Sequence, residues 1–72
     1  MEYDYSRLIG RIVERCGTRG SFAEQMGLSE RSVSLKLSNQ RSWKQPEIEK
    51  AVDVLDLGKE DIQPYFFTPK VQ

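Results

Sequence analysis

The sequence contains no histidine and a single cysteine, and both scarcities limit its chemistry. Without histidine, the Ser-His and Cys-His pairs that activate many enzyme nucleophiles cannot form. Cys16 has no second cysteine for a disulfide, and structural zinc rarely accepts a site built from carboxylates. Cys16 also falls on the apolar stripe of a predicted helix, where a buried, unreactive thiol is expected. The sequence therefore predicts a protein that is not an enzyme and that needs no metal or cofactor.

Long apolar runs are missing too. No stretch approaches the roughly 20 residues that a membrane-spanning helix needs. The charged opening MEYDYSRL has no signal-peptide core, so a cytoplasmic protein without a membrane partner is expected. At 72 residues the chain has room for one core, and we expect a single domain over residues 1–72.

Net charge is zero, but the charges are unevenly distributed. Residues 1–44 hold eight Lys/Arg against five Asp/Glu, whereas residues 45–72 hold three against six. A protein dedicated to duplex DNA usually has a basic excess across the domain, because much of its affinity comes from neutralising phosphates. Here the excess is local, which suits either DNA on one face or another protein.

Apolar residues at spacings of three and four predict a first helix from Tyr5 to Cys16. Asp4 can cap its start and Gly17 can end it. Its apolar stripe consists of Tyr5, Leu8, Ile9, Ile12, Val13 and Cys16. Its polar face carries a row of arginines, Arg7, Arg11 and Arg15. That row is either an ordinary solvated face or a surface for phosphates or an acidic partner.

Two short helices are predicted next. Residues 21–24, Ser-Phe-Ala-Glu, fit a capping box, so the second helix is expected to start at Ser21. Gly27 can take the left-handed conformation of a tight stop. Ser29 then caps a third helix, from Glu30 to about Ser38.

A fourth helix follows, with Gln45 as its cap and Pro46 as its first residue. Its inward residues are Ile48, Ala51, Val52 and Leu55. Gly58 lies just past its end, and a possible short turn at 59–63 leads into a C-terminal tail of about residues 64–72. The expected fold is an all-α, compact bundle of four to five helices.

Residues 21–38 match the pattern of a helix-turn-helix. Ala23 is small where two helices cross closely, Gly27 makes the turn, and Val33 and Leu37 clamp the pair to the core. The spacing, the caps and the flanking helices all agree with this interpretation. The alternative is a generic helical bundle that includes a tight corner.

One position departs from the pattern, because Lys36 stands where the motif usually has an apolar residue. The third helix is therefore expected to be rotated or shifted toward Leu37, with Lys36 partly exposed. The outward face predicted to bind DNA or a partner consists of Ser29, Glu30, Arg31, Ser34, Leu35, Lys36 and Ser38.

Several residues of this face have side chains suited to DNA. Arg31 can hydrogen-bond guanine, and Ser29 or Ser34 can hydrogen-bond a phosphate or a base edge. Leu35 can make an apolar contact with a thymine methyl group. Glu30 counts against tight DNA binding unless it accepts from cytosine. If DNA is bound, the expected phosphate contacts are Arg19, Lys36, Arg41 and Lys44.

Aromatic residues offer anchors for a protein partner instead. The candidates are Trp43, Tyr65, Phe66 and Phe67. A tryptophan between two helices is commonly a plug at the edge of the core. At least one ring of the 65–67 run is expected to fold inward, because so small a domain can hardly leave three large rings in water.

The run FAEQMGLSERSVSLKLSNQRSWKQPEIEKAVDVLDL and the ending YFFTPKVQ resemble small phage repressor-like proteins of Gram-positive hosts, which are Cro-like and helix-turn-helix in fold. The resemblance covers nearly the whole chain, and the opening MEYDYSRLIGRIVER is most similar to the antirepressors of lactococcal temperate phages. It implies a role in the lysis-lysogeny switch of a bacterial host cell, as an antirepressor that forms a complex with the phage CI repressor. Operator DNA would then be bound weakly or only within that complex, and no small-molecule substrate is expected.

Two functions therefore remain open. The first is an antirepressor that binds the DNA-binding domain of CI, blocks its operator binding and promotes the lytic choice. The second is a Cro-type transcriptional repressor that binds operator DNA directly as a dimer. The zero net charge, Glu30 and the acidic second half favour the protein partner.

Overall fold

The computed structural model describes residues 2–71, and within that range the chain forms five α-helices and one short 3-10 turn. The elements are α1 (Ser6–Cys16), α2 (Arg19–Met26), α3 (Glu30–Leu37), α4 (Gln45–Val54), the 3-10 turn (Lys59–Asp61) and α5 (Ile62–Phe66). The predicted all-α bundle is confirmed. None of these helices is long and apolar enough to cross a membrane.

Every α-helix contributes to one hydrophobic core. Its largest fully buried side chains are Phe22, Phe66, Leu8, Ile12, Leu55 and Val33. The inward stripe of α1 is narrower than predicted, because Val13 is 55% exposed. Cys16 is half-buried at the edge of the core rather than enclosed by it.

Three predicted helix starts are wrong. α1 begins at Ser6 rather than Tyr5, with Tyr5 instead of Asp4 at the capping position. α2 begins before the proposed capping box at 21–24, because Thr18 takes extended backbone angles and its Oγ1 accepts from the Ser21 amide at 3.0 Å. α4 begins one residue early, with Lys44 at the capping position. The Lys44 amide donates to Glu47 Oε1 at 2.9 Å, so a side chain from the first turn of α4 provides the hydrogen-bond acceptor for the amide of the capping residue.

The arginine row of α1 is partly structural. Arg11 Nε donates to the Leu55 carbonyl at 2.9 Å, and its Nη2 donates to the Asp56 carbonyl at 3.0 Å. The last carbonyls of a helix lack intrahelical partners and carry partial negative charge. Arg11 therefore caps the C-terminal end of α4 and holds α1 against it.

The two ends of the described chain meet beside the end of α3. The Asp4 amide donates to the Thr68 carbonyl at 2.7 Å, and the Lys70 amide donates to the Glu2 carbonyl at 3.1 Å. Asn39, with a left-handed φ of 67°, bonds the amide and the carbonyl of Tyr3 with its side chain. These hydrogen bonds join residues 2–4 to residues 68–70 and to Asn39, and we call them the terminal clasp. The clasp holds the N-terminal segment next to the predicted binding face.

Candidate partner-binding surface

The turn between α2 and α3 is built as the sequence indicates. Gly27 has a φ of 72°, a left-handed conformation that glycine adopts without steric cost. The Leu28 amide donates to the Ala23 carbonyl at 2.9 Å, which closes the end of α2. Ser29 Oγ then accepts from the Ser32 amide at 3.0 Å and starts α3. Because Ala23 and Val33 are both buried, the outer side of α3 is held in one orientation.

The structure exposes most of the predicted face. Ser29, Glu30, Arg31 and Ser38 are exposed, while Ser34 and Leu35 are half-buried. The Leu35 carbonyl accepts from the amides of residues 40 and 41, at 2.9 and 3.2 Å, so the loop after α3 folds back over its last turn.

Lys36 does not belong to that face, and its predicted exposure is wrong. The residue is 5% exposed, and its ammonium lies 2.9 Å from Glu47 Oε1 and 3.1 Å from the Ser42 carbonyl. The same nitrogen lies 5.8 Å from the centroid of the Trp43 ring, within the range of a cation–π contact. Lys36 is buried because Glu47 supplies the counter-charge, so it is unavailable as a phosphate contact.

The carboxylate of Glu47 joins α3, the loop and α4. Burial raises its pKa, but hydrogen bonds from the Lys36 ammonium and the Lys44 amide outweigh that effect and hold the pKa below its ordinary value. Glu47 therefore remains charged at neutral pH and keeps Lys36 in place.

Two of the four candidate interface aromatics are core residues. Trp43 is 9% exposed and Phe66 is 1% exposed, and their rings meet edge to face with centroids 5.4 Å apart. They are buried because α5 packs against the loop before α4, so the expected exposure of both rings is wrong, and Trp43 is the plug at the edge of the core that the sequence also allowed. Tyr65 is half-buried, and Phe67 is 41% exposed with its ring edge-on to Tyr3. The expectation that at least one ring of the run folds inward is confirmed by Phe66.

The other predicted phosphate contacts stay at the surface. Arg19, Arg41 and Lys44 are exposed, and Arg41 Nη1 lies 3.5 Å from Ser32 Oγ on α3. Arg41 and Lys44 line one crevice of about 450 Å³ beside α3. The loop 39–43 also borders a second cavity, of about 270 Å³, whose wall includes Phe67. The surface beside α3 is therefore partly basic and partly aromatic.

Two charged side chains that lie beside the ends of α2 were not predicted from the sequence. The Glu30 carboxylate lies about 3.7 Å from the position that a Cβ atom at Gly20 would occupy, in the first turn of α2. At the other end of α2, Lys50 Nζ lies about 3.7 Å from the corresponding position at Gly27. A negative charge near a helix N-terminus and a positive charge near its C-terminus are both stabilising. Both partners come from other helices, so local sequence patterns carry no signal for them.

Comparison with known proteins identifies the family. The family model described as "Protein of unknown function (DUF739)" matches residues 1–69. The chain belongs to this family. No curated protein matches it.

A solved structure similar to this DUF739 member is the solution structure of the modulator of repression (MOR) of the temperate bacteriophage TP901-1 from Lactococcus lactis. The two chains are 58% identical, with 100% of this chain and 97% of that chain covered, and their TM-score is 0.82. The resemblance to small phage repressor-like proteins, and among them to the lactococcal phage modulators of repression, is thereby confirmed.

Proposed function

We propose that this DUF739 protein is a phage antirepressor that binds the DNA-binding domain of a CI-type repressor, blocks its operator binding and favours the lytic choice. It acts by binding, without catalysis. The likeness to a phage modulator of repression supports a role in regulating repression. The helix-turn-helix interpretation of α2 and α3 belongs to this proposal, with the outer side of α3 as the binding face.

The observation that carries the proposal is the charge arrangement at α2 and α3. A helix-turn-helix that binds DNA tightly surrounds its reading helix with cations for phosphates. Here Lys36 is buried in an ion pair with Glu47, so its charge does not face the surface. The Glu30 carboxylate lies beside the first turn of α2. Both features weaken attraction to DNA while leaving polar and apolar side chains available to a protein.

The proposed interface continues beyond α3. Leu35 supplies a half-buried apolar centre, and Arg31 is an exposed arginine of the kind that anchors many interfaces. The loop after α3 and the exposed ring of Phe67 border the same cavity. A partner that also contacts this loop would meet an aromatic side chain there.

The second candidate function is a Cro-type repressor that binds operator DNA as a dimer. The exposure of Arg19, Arg41 and Lys44, together with Arg31 on α3, favours it. Such binding would weaken steeply with salt, because each phosphate contact releases counterions. This salt dependence separates the two functions in one assay.

The test mixes the purified protein with the DNA-binding domain of the cognate repressor and with an operator duplex. The antirepressor predicts a stable protein complex, loss of the repressor's operator binding, and little specific affinity of this chain for the duplex. Specific, salt-sensitive binding of the operator by this chain alone, without a protein complex, would instead establish the Cro-type function.

A matched pair of variants locates the interface. Leu35→Asp places a charge in the proposed face, and Val13→Asp makes the same change on α1, where the side chain is 55% exposed. We expect Leu35→Asp to weaken the protein complex more than tenfold and Val13→Asp to leave it unchanged. Far-UV circular dichroism checks that both variants fold. Equal affinity of the two folded variants for the repressor would exclude the α3 face.

A further inference from the structure

We propose that Glu30 is a specificity-determining residue: it accepts a cationic side chain of the protein partner and excludes nucleic-acid phosphates from the α2–α3 surface. This inference rests on the proposed function. It assigns to one side chain the choice between the two classes of partner.

The exclusion follows from where the carboxylate lies. The first amides of a helix have no intrahelical acceptors and carry partial positive charge, so a helix N-terminus attracts anions. Thr18 Oγ1 already accepts from the Ser21 amide of α2. The Glu30 carboxylate lies beside the neighbouring residue, about 3.7 Å from the Cβ position of Gly20. A phosphate that approaches this turn therefore meets a negative charge at short range.

The attraction of a cation follows from the partners that the carboxylate lacks. Within residues 2–71, the four ion pairs join other residues, and Glu30 is exposed. Two free carboxylate oxygens can receive a guanidinium through paired hydrogen bonds or an ammonium through one. A repressor's DNA-reading surface is rich in arginine and lysine because it binds phosphates and base edges. The occupant is therefore an arginine or lysine of that surface.

The test compares Glu30→Gln with Glu24→Gln. Both residues are exposed and lose one negative charge, but Glu24 lies toward the other end of α2. Each variant is titrated with the repressor's DNA-binding domain and, separately, with a duplex of unrelated sequence at several salt concentrations. Glu30 is exposed in the free protein, so we expect the loss of its single charge contact to change the dissociation constant by about five- to tenfold, where tenfold corresponds to about 1.4 kcal/mol.

We expect Glu30→Gln to weaken the protein complex about five- to tenfold and to strengthen duplex binding by a similar factor. The gain in duplex affinity should be largest at low salt, where repulsion between the carboxylate and phosphates is least screened. Glu24→Gln should change either affinity far less. If Glu30→Gln matches Glu24→Gln in either titration while the wild-type complex is intact, the assignment is overturned. Failure of the wild-type chain to form the complex would instead refute the proposed function.

Discussion

Replacing Lys36 with methionine tests how much the buried ion pair with Glu47 stabilises the fold. Methionine retains much of the apolar stem and removes the charge. The ammonium of Lys36 contacts Glu47 Oε1 at 2.9 Å, and the two side chains are 6% and 18% exposed. Breaking a fully buried pair costs about 3–5 kcal/mol, because one charge is left without its counter-charge. In Lys36→Met the Glu47 carboxylate still accepts a hydrogen bond from the Lys44 amide and is partly solvated. We therefore expect the free energy of unfolding to fall by about 2–3 kcal/mol.

That loss is large for a domain of this size. Each kcal/mol shifts the thermal midpoint of a 60–100-residue domain by about 4–8 °C, so Lys36→Met should melt about 10–20 °C below wild type. Urea unfolding followed by circular dichroism gives the free energies of wild type, Lys36→Met, Glu47→Gln and the double variant. The double variant should recover much of the loss, because it leaves no unpaired buried charge. A Lys36→Met protein within about 0.5 kcal/mol of wild type, or strictly additive variants, would refute the reasoning.

The loss of unfolding free energy in Lys36→Met should also depend on pH. The pKa of Glu47 lies below its ordinary value of 4.5, since the hydrogen bonds from Lys36 and Lys44 outweigh burial. A lowered carboxyl pKa stabilises the fold fully above the unfolded-state pKa, and this stabilisation is lost as pH falls through the folded-state pKa. The difference between wild type and Lys36→Met should therefore be largest near neutral pH and shrink in acid. A difference that stays constant from pH 7 to pH 3 would show that the charge of Glu47 is not involved.

Three further predictions concern backbone and helix ends. Gly10→Ala and Gly20→Ala should each stabilise the fold by about 0.5–1 kcal/mol, because the new methyl meets open space at Gly10 and ordinary van der Waals contact at Gly20. Calorimetry showing that Gly20→Ala is less stable than wild type would mean that the Glu30 carboxylate cannot accommodate the methyl. Arg11→Met should cost about 1–2 kcal/mol in urea unfolding by uncapping α4, whereas Arg7→Met, at an exposed position on the same helix, should cost little. Asn39→Gly keeps the left-handed backbone but loses both side-chain bonds to Tyr3, so hydrogen exchange should quicken in residues 3–4 and remain slow in the core.

Sequence reasoning succeeds at the α2–α3 corner because the determinants are local. Ala23, Gly27 and Ser29 lie within seven consecutive residues, and each has one clear steric or hydrogen-bonding role. The shifted start of α2 shows the limit of such reasoning. Thr18 and Ser21 are both good capping residues, and only the backbone conformation decides between them.

The site was less predictable because its charges are paired between helices. The exposure of Lys36 depends on Glu47 of α4, and the position of the Glu30 carboxylate depends on how closely α3 crosses Gly20. The identity of the buried ring in the 65–67 run was not predictable for a related reason, because the register of α5 turns Phe66 inward and leaves Phe67 exposed. Composition and spacing cannot reveal a pairing that exists only after the helices pack.

The clasp between residues 2–4 and 68–70 makes the described chain nearly a closed ring. A tag or fluorophore attached at one end lies beside the other end, and both lie next to Asn39 at the edge of the proposed interface. A donor and an acceptor dye on residues 2 and 71 would therefore report folding as one large change in distance. A bulky fusion at either end, by contrast, would stand close enough to α3 to obstruct a partner, so binding measurements should use a chain without one.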